Sequence, residues 1–289
     1  MQIVTDTGMD MYLPPELMPG MDIHVVRMSI TLDGKTYLSG KDIQADELQE
    51  LLLKTPSFPI TSQPSSGDFA EMYRKLAATD PDILTIQMSS GLSGTVNAAK
   101  AGAEMVPEAN VTIVDTKTLC AAIGWQVAAA ARALKAGWSK EKIIALIQRI
   151  GDATESMYTL DELKYLIHGG RISHMKGLLA SVLHIRPLIR VEKVGGTYAQ
   201  VGMARTFDRA LQGLVEQMKK FQEPGTALRA QVLHSYNPNG AKRLIELIDP
   251  VYKCTWMPVM YMSPALAAHT GPSMVGVAFA PLSTFDDLP

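Results

Sequence analysis

Aromatic side chains are scarce in this chain: Phe, Trp and Tyr make up 6% of it, while Met alone contributes 17 residues. Its apolar volume is therefore filled by aliphatic groups and flexible thioethers, which adapt to irregular spaces as rigid rings do not. Cysteine is scarcer still. Cys120 and Cys254 stand far apart, without C-x-x-C or Cys/His spacing, which excludes a disulfide framework and gives no zinc signature. The six His form no H-x-x-x-H or H-E-x-x-H pattern, so no metal is expected. Neither G-x-x-x-x-G-K-S/T nor G-x-G-x-x-G occurs, which argues against ATP or a dinucleotide held by the usual loops, and no cofactor is expected. There is no cationic excess either: 27 Lys plus Arg oppose 29 Asp plus Glu, so nucleic acid is not an expected partner. Long apolar runs are missing. The best candidate, Leu119 to Leu134, is interrupted by Gln126 and Arg132 and reads as an Ala-rich core helix, not a transmembrane segment. The opening Met1-Gln2-Ile3-Val4-Thr5-Asp6 reads as a strand and not a leader, so a cytoplasmic location is expected.

What is present is a globular pattern. At 289 residues a single core tends to split, and two domains are expected, 1–151 and 152–289, with the boundary near Gly151. In the first, Ile3 to Val4, Ile83 to Met88 and Val111 to Val114 read as strands, alternating with helical Gly67 to Ala78, Ser93 to Met105 and Leu119 to Lys135. That alternation predicts an α/β domain with a parallel sheet. Asp33-Gly34, between β-rich flanks in Ile23 to Tyr37, predicts a hairpin. After a helix over Lys140 to Ile150, Thr159 and Glu162 have capping-box spacing and predict another helix start. The rest reads as a mixed-sheet α+β domain. Its hairpin joins Ile185 to Val194 with Thr197 to Met203 through Gly195-Gly196. A helix (Arg205 to Phe221), a strand (Ala230 to His234), a helix (Asn239 to Ile248) and strands at Tyr252 to Met257 and Met274 to Phe279 follow.

Three polar loops carry the chemistry. Thr61-Ser62-Gln63-Pro64-Ser65-Ser66-Gly67 and Ser89-Ser90-Gly91-Leu92-Ser93-Gly94-Thr95 each run from a strand-like segment into a helix, where unpaired backbone amides and the helix dipole favour an anion. Neither contains Lys, Arg or an acid, so neutral donors would hold the anion, which suits a carboxylate better than a polyphosphate. Ser and Thr at helix starts are equally explained as N-caps. Ser93 also stands in a near match to G-x-S-x-G, with Thr95 in place of the last glycine, leaving open a hydrolase or acyltransferase with His269 as base. The third loop, His168-Gly169-Gly170-Arg171-Ile172-Ser173, reads first as a glycine C-cap. Near the end, His269-Thr270-Gly271-Pro272 sets an imidazole beside a hydroxyl.

Together these segments resemble the DegV family: Ile3-Val4-Thr5-Asp6-Thr7, T-S-Q-P-S at Thr61, S-S-G-L-S-G-T at Ser89, Val114-Asp115-Thr116, G-G-R-I-S at Gly169, Ile185-Arg186-Pro187-Leu188 and H-T-G-P at His269. The resemblance spans nearly the whole chain. It implies two α/β-type domains with a long-chain fatty acid between them. The implied carboxylate donors are Thr61 and Ser93, with Ser62, the Gly94 amide and His269 close by. The protein would itself be no enzyme but the lipid-carrying subunit of a fatty acid kinase, whose catalytic subunit phosphorylates the carboxylate with ATP on the way to phospholipid. A lipid sensor without a kinase stays open, and a transient membrane-surface contact is compatible with such a cargo. Arg171, Arg205 and Arg209 are candidate partner-facing cations. The sequence departs from the family pattern at Thr116, at Cys120-Ala121-Ala122-Ile123-Gly124, at His168 and at Ser273, which puts the tunnel's shape and rim in question. Met28, Met88 and Met262 fall near strand ends, where they would line it.

Overall fold

A computed structural model describes residues 1–9, 22–172 and 185–289; Ser173 of the third polar loop lies outside them. Within the described residues the N-terminal half is built on a parallel sheet. Strand β1 (Gln2–Asp6) is flanked by β2 (Ile23–Val26) and β6 (Asp82–Gln87), and β7 (Asn110–Asp115) completes the order β2-β1-β6-β7. Its inner strands are buried on both faces, which explains why they read as continuous apolar runs. Helices α2 (Ser66–Ala77) and α3 (Thr95–Glu104) close one face over Val4, Phe69, Tyr73 and Ile83.

A small antiparallel sheet stands beside it, formed by β3 (Ser29–Leu32), β4 (Lys35–Leu38) and β5 (Ile60–Ser62). The hairpin expected over Ile23 to Tyr37 is thus only its second half. Asp33 and Gly34 both have positive φ and turn β3 into β4, whereas Ile23–Val26 joins the parallel sheet. Helix α1 (Ala45–Lys54), which the strand–helix pattern passed over, is opened by a reciprocal Gln44/Glu47 capping box and buries Leu48 and Leu52.

Helix α4 (Ala121–Lys135) joins the halves. Eleven of its 15 residues are buried, six of them Ala, and it touches both β1 and β14 (Val275–Pro281) of the second sheet. Small side chains on all sides let two sheets approach one helix, so the Ala-rich pattern marks a central element. The contact is sealed by Trp125, whose Nε1 donates to Gln231 Oε1 at 2.8 Å. Helix α5 (Lys140–Ala153) packs on α4 and runs on through Gly151.

The second sheet is mixed: β10-β9-β8-β14-β11-β12, with β13 (Met260–Tyr261) also on β11. Its strands are β8 (Glu155–Thr159), β9 (Arg186–Val191), β10 (Tyr198–Ala204), β11 (Ala227–His234) and β12 (Lys253–Trp256). Helices α7 (Phe207–Met218) and α8 (Pro238–Ile248) cover the face opposite α4. The expected capping box at Thr159 does not form. Thr159 ends β8 fully buried, and α6 (Lys164–His168) starts later, with Glu162 paired to Lys164. Strand pairing with β14 takes Thr159 before it can cap a helix. A short helix α9 (Pro264–Thr270), which the periodicity did not reveal, carries His269 in its last turn.

Candidate functional site

Thr61 enters the site from a strand. Alternation along β5 sends Thr61 toward α9 and Ser62 to solvent, so of the two adjacent hydroxyls only Thr61 lines the cavity. Its Oγ1 lies 2.7 Å from His269 Nε2. His269 is 9% exposed, and burial, reinforced by the Arg171 charge, pushes its pKa down to about 4. The imidazole is neutral at pH 7. Its Nδ1 has no hydrogen-bond partner among the described residues; in the tautomer that carries the proton on Nε2, that proton goes to Thr61 and leaves the Thr61 hydroxyl hydrogen free to donate into the cavity. Gly169 makes this ring position possible: a methyl group there would overlap His269 Nδ1 and sit 2.9 Å from Cε1. The Gly169-Gly170 pair thus has two jobs. Gly170, at φ 72°, ends α6 in the left-handed conformation as a C-cap requires, while Gly169 yields space to His269.

The Ser89–Thr95 loop differs from its expected form. Its amides are mostly used internally: Leu92 and Ser93 donate to Ser89 O, Gly91 to Ser89 Oγ and Ser90 to Asp115. The start of α2 is likewise closed, by Ser65 and Asp68 in a reciprocal capping box that sets a carboxylate on it. Of the two helices that follow these loops, α3 keeps an uncapped start, with no acid in its first turn. Ser93 lines the cavity just before it, its Oγ 2.6 Å from Thr95 Oγ1. Gly94 is its N-cap and rests on the Gln63 side chain.

Arg171 brings a cation to what sequence reading made a neutral site. It lines the same cavity as Thr61, Ser93 and His269, donating to Gly169 O at 2.6 Å. No local pattern could show this, because Arg171 reaches the loop from 79 residues away, its Nε facing Leu92 O. Arg205 and Arg209 are exposed and are not among the cavity's lining residues. Ser93 finds Thr95 and not His269 as its partner, and His269 is turned to Thr61 with no acid on Nδ1, so a Ser–His relay is not assembled.

This cavity measures about 30 Å³, with Met28 and Met88 in its wall. A second, strongly apolar cavity of about 30 Å³ lies between the segment leading into α4 and the β8–β14 face, lined by Leu119, Met157, Leu233, Met262, Met274 and others. Tyr198 lines both, and α9 supplies Leu266 and His269 to the first and Thr270 to the second. Met28, Met88 and Met262 therefore stand where the sequence put them. Cys120 lines the apolar cavity from a left-handed backbone at the start of α4, at φ 58°, whereas Thr116 faces away, its Oγ1 on Gln87 O. His168 stacks on Phe58, and Ser273 Oγ accepts from the Asp161 amide. Tyr198 is positioned by a latch. The turn between β9 and β10 rests on the Ser89 loop, with Ser89 Oγ donating to Gly196 O at 2.7 Å. Among the described residues no cluster could hold a metal, and no helix is long and apolar enough to cross a membrane.

The family model described as "Uncharacterised protein, DegV family" matches residues 1–282. A DegV domain-containing protein of Deinococcus radiodurans is 33% identical over 279 residues, covering 96% of this chain and 95% of its own. A fatty-acid-binding DegV family protein from Thermus thermophilus superposes with a TM-score of 0.86 at 28% identity, covering 97% of this chain and 99% of its own. DegV of Bacillus subtilis, a fatty acid binding protein, gives 0.85 at 25% identity, over 97% and 98%.

Proposed function

The chain belongs to the DegV family, and from that premise we propose that it binds a long-chain fatty acid, with the carboxylate between Thr61, Ser93 and Arg171 and the alkyl chain in the apolar cavity. The observation that carries this reading is the shared wall: a cavity lined by hydroxyls, a neutral imidazole and a guanidinium meets an apolar one at Tyr198. The fatty acid binding of the Thermus and Bacillus proteins supports it. Residues 1–151 supply Thr61 and Ser93, and residues 152–289 supply Arg171, His269 and most of the apolar wall. Burial of about fourteen methylenes is worth at most about 11 kcal/mol, reduced by the cost of ordering, so affinity comes from the tail. The donors set orientation, because a buried carboxylate must be hydrogen-bonded.

Thr61 and Ser93 are half-buried, which leaves the carboxylate end within reach from outside. On this reading the protein is a cytoplasmic carrier. It presents the carboxylate to an ATP-dependent kinase partner, where a carboxylate oxygen attacks the terminal phosphorus and ADP leaves. Extraction of the purified protein followed by mass spectrometry tests the first step, and an acyl chain is expected. Ser93→Ala should weaken retention and impair phosphorylation by the partner more strongly. Absence of any lipid together with no binding of added hexadecanoic acid overturns the reading.

A further inference from the structure

The apolar cavity is not uniformly apolar. Ser156 and Tyr158, two residues apart on β8, turn the same strand face toward α4 and line it, while Met157 between them packs with the core under α7 and α8. Tyr158 is 8% exposed, and its Oη is sealed from solvent, within reach of Tyr198 but in no well-aligned hydrogen bond among the described residues; Ser156 Oγ is sealed likewise and has no partner among them. Its ring packs edge-on against Tyr198 at 5.6 Å, so the hydroxyl is held at the junction with the carboxylate-end cavity and not at the periphery. Hydroxyls sealed without a partner are unfavourable, and native proteins leave few of them. A wall meant for methylenes alone gains nothing from two of them on one strand face, since Phe and Ala would pack as well.

We propose that the cavity selects an acyl chain carrying a hydroxyl group partway along its length, which exchanges hydrogen bonds with Tyr158 Oη and Ser156 Oγ. A hydroxyl both donates and accepts, so it matches a phenol and a serine at once, where a methylene matches neither. A second carboxylate fits less well. Ser156 and Val191 also line a polar cleft on the far side of the wall, and its cations are already matched, Lys193 by Glu155 at 2.9 Å and Lys117 by Asp115 at 2.8 Å. The inference rests on the fatty acid reading above and narrows its ligand class.

The test is a competition of octadecanoic acid against positional isomers of hydroxyoctadecanoic acid bearing the hydroxyl near mid-chain, on the wild type, Tyr158→Phe and Ser156→Ala. The wild type should bind at least one isomer about fivefold tighter than the unsubstituted acid, the value of one net hydrogen bond. Tyr158→Phe should bring that ratio to about one, and Ser156→Ala should reduce it. Because the readout is a ratio within each variant, a general loss of affinity does not imitate the result. Tighter binding of the unsubstituted acid against every isomer, or a preference that survives both substitutions, overturns the proposal and leaves the fatty acid reading standing. A preference for a cis-unsaturated chain alone does the same. Failure to bind any of these acids overturns both.

Discussion

Gly169→Ala puts a methyl group against His269 and nothing else of consequence. The backbone at Gly169 is right-handed, at φ −68° and ψ −8°, so alanine suits it and gains up to about 1 kcal/mol from a stiffer unfolded chain. The added carbon overlaps His269 Nδ1 and comes within 2.9 Å of Cε1 and 3.2 Å of Tyr165 O. Overpacking of this kind costs about 1–3 kcal/mol, so the expected net loss of stability is small, about 1–2 kcal/mol. The functional effect is larger than that figure suggests. Moving the ring breaks its 2.7 Å contact with Thr61 Oγ1, and Thr61 then has no fixed direction in which to donate. Fatty acid affinity should fall about fivefold or more, read by displacement of a fluorescent acyl probe. Two comparisons isolate the cause. Gly170→Ala meets nothing within 4 Å and only strains a backbone at φ 72°, so it should cost stability and leave affinity alone. In a His269→Ala background the ring is gone, and Gly169→Ala should weaken binding no further. Undiminished affinity in Gly169→Ala, or equal losses in Gly169→Ala and Gly170→Ala, refutes the assignment of Gly169 as the residue that seats His269.

Two further outcomes follow from the same region. His269 titrates near 4 in the folded protein and near 6.5 unfolded, so it contributes stability at neutral pH that is lost as pH falls from about 6.5 to about 4. Asp6, pushed up to about 6 by burial despite accepting from the Met88 and Gly8 amides, acts oppositely, gaining stability over nearly the same fall. Denaturant unfolding of the wild type should therefore vary little between these pH values, whereas His269→Gln should gain about 3 kcal/mol relative to it on acidification; parallel pH profiles contradict this. Ser89→Ala removes the donor to Gly196 O and the acceptor of the Gly91 amide, and should lower stability by about 1–3 kcal/mol and speed lipid release, measured by thermal melts and stopped-flow transfer. An unchanged release rate shows that the β9–β10 turn does not guard Tyr198.

The features that were legible in sequence are those written locally. The parallel strands announce themselves as apolar runs, the Asp33-Gly34 turn by dipeptide chemistry, and α4 by its alanines. Thr61, Ser93 and His269, far apart in the chain, line one cavity. What was missed depends on long-range pairing. Ile23–Val26 looks like one arm of a hairpin until β1 claims it, and Thr159 looks like a cap until β14 does. Arg171 escaped because its role is set by a contact with Leu92 across 79 residues. Helix α9 has seven residues, too few for an apolar period to declare itself, although Pro264 at its start was a usable signal.

The scarcity of aromatics now bears on how a ligand could enter at all. Each of the two cavities holds about 30 Å³, room for about two waters, and a long acyl chain needs many times that space. Binding must therefore move side chains, and the identity of those side chains decides the cost. Met262 and Met274 on the tail side, with Met28 and Met88 at the carboxylate end, each have three rotatable bonds and no branched carbon, so they swing aside with little strain. A wall of Phe or Ile would resist, because close-packed rings and β-branched groups have few alternative rotamers. Against this pliable lining the stiff elements are Tyr158 and Tyr198, packed edge to face where the two cavities meet. The division makes physical sense. The methionines let the space adjust to the bulk of a chain, while the tyrosines and the Thr61–His269 pair hold fixed positions, so polar features along the chain are read against points that do not move.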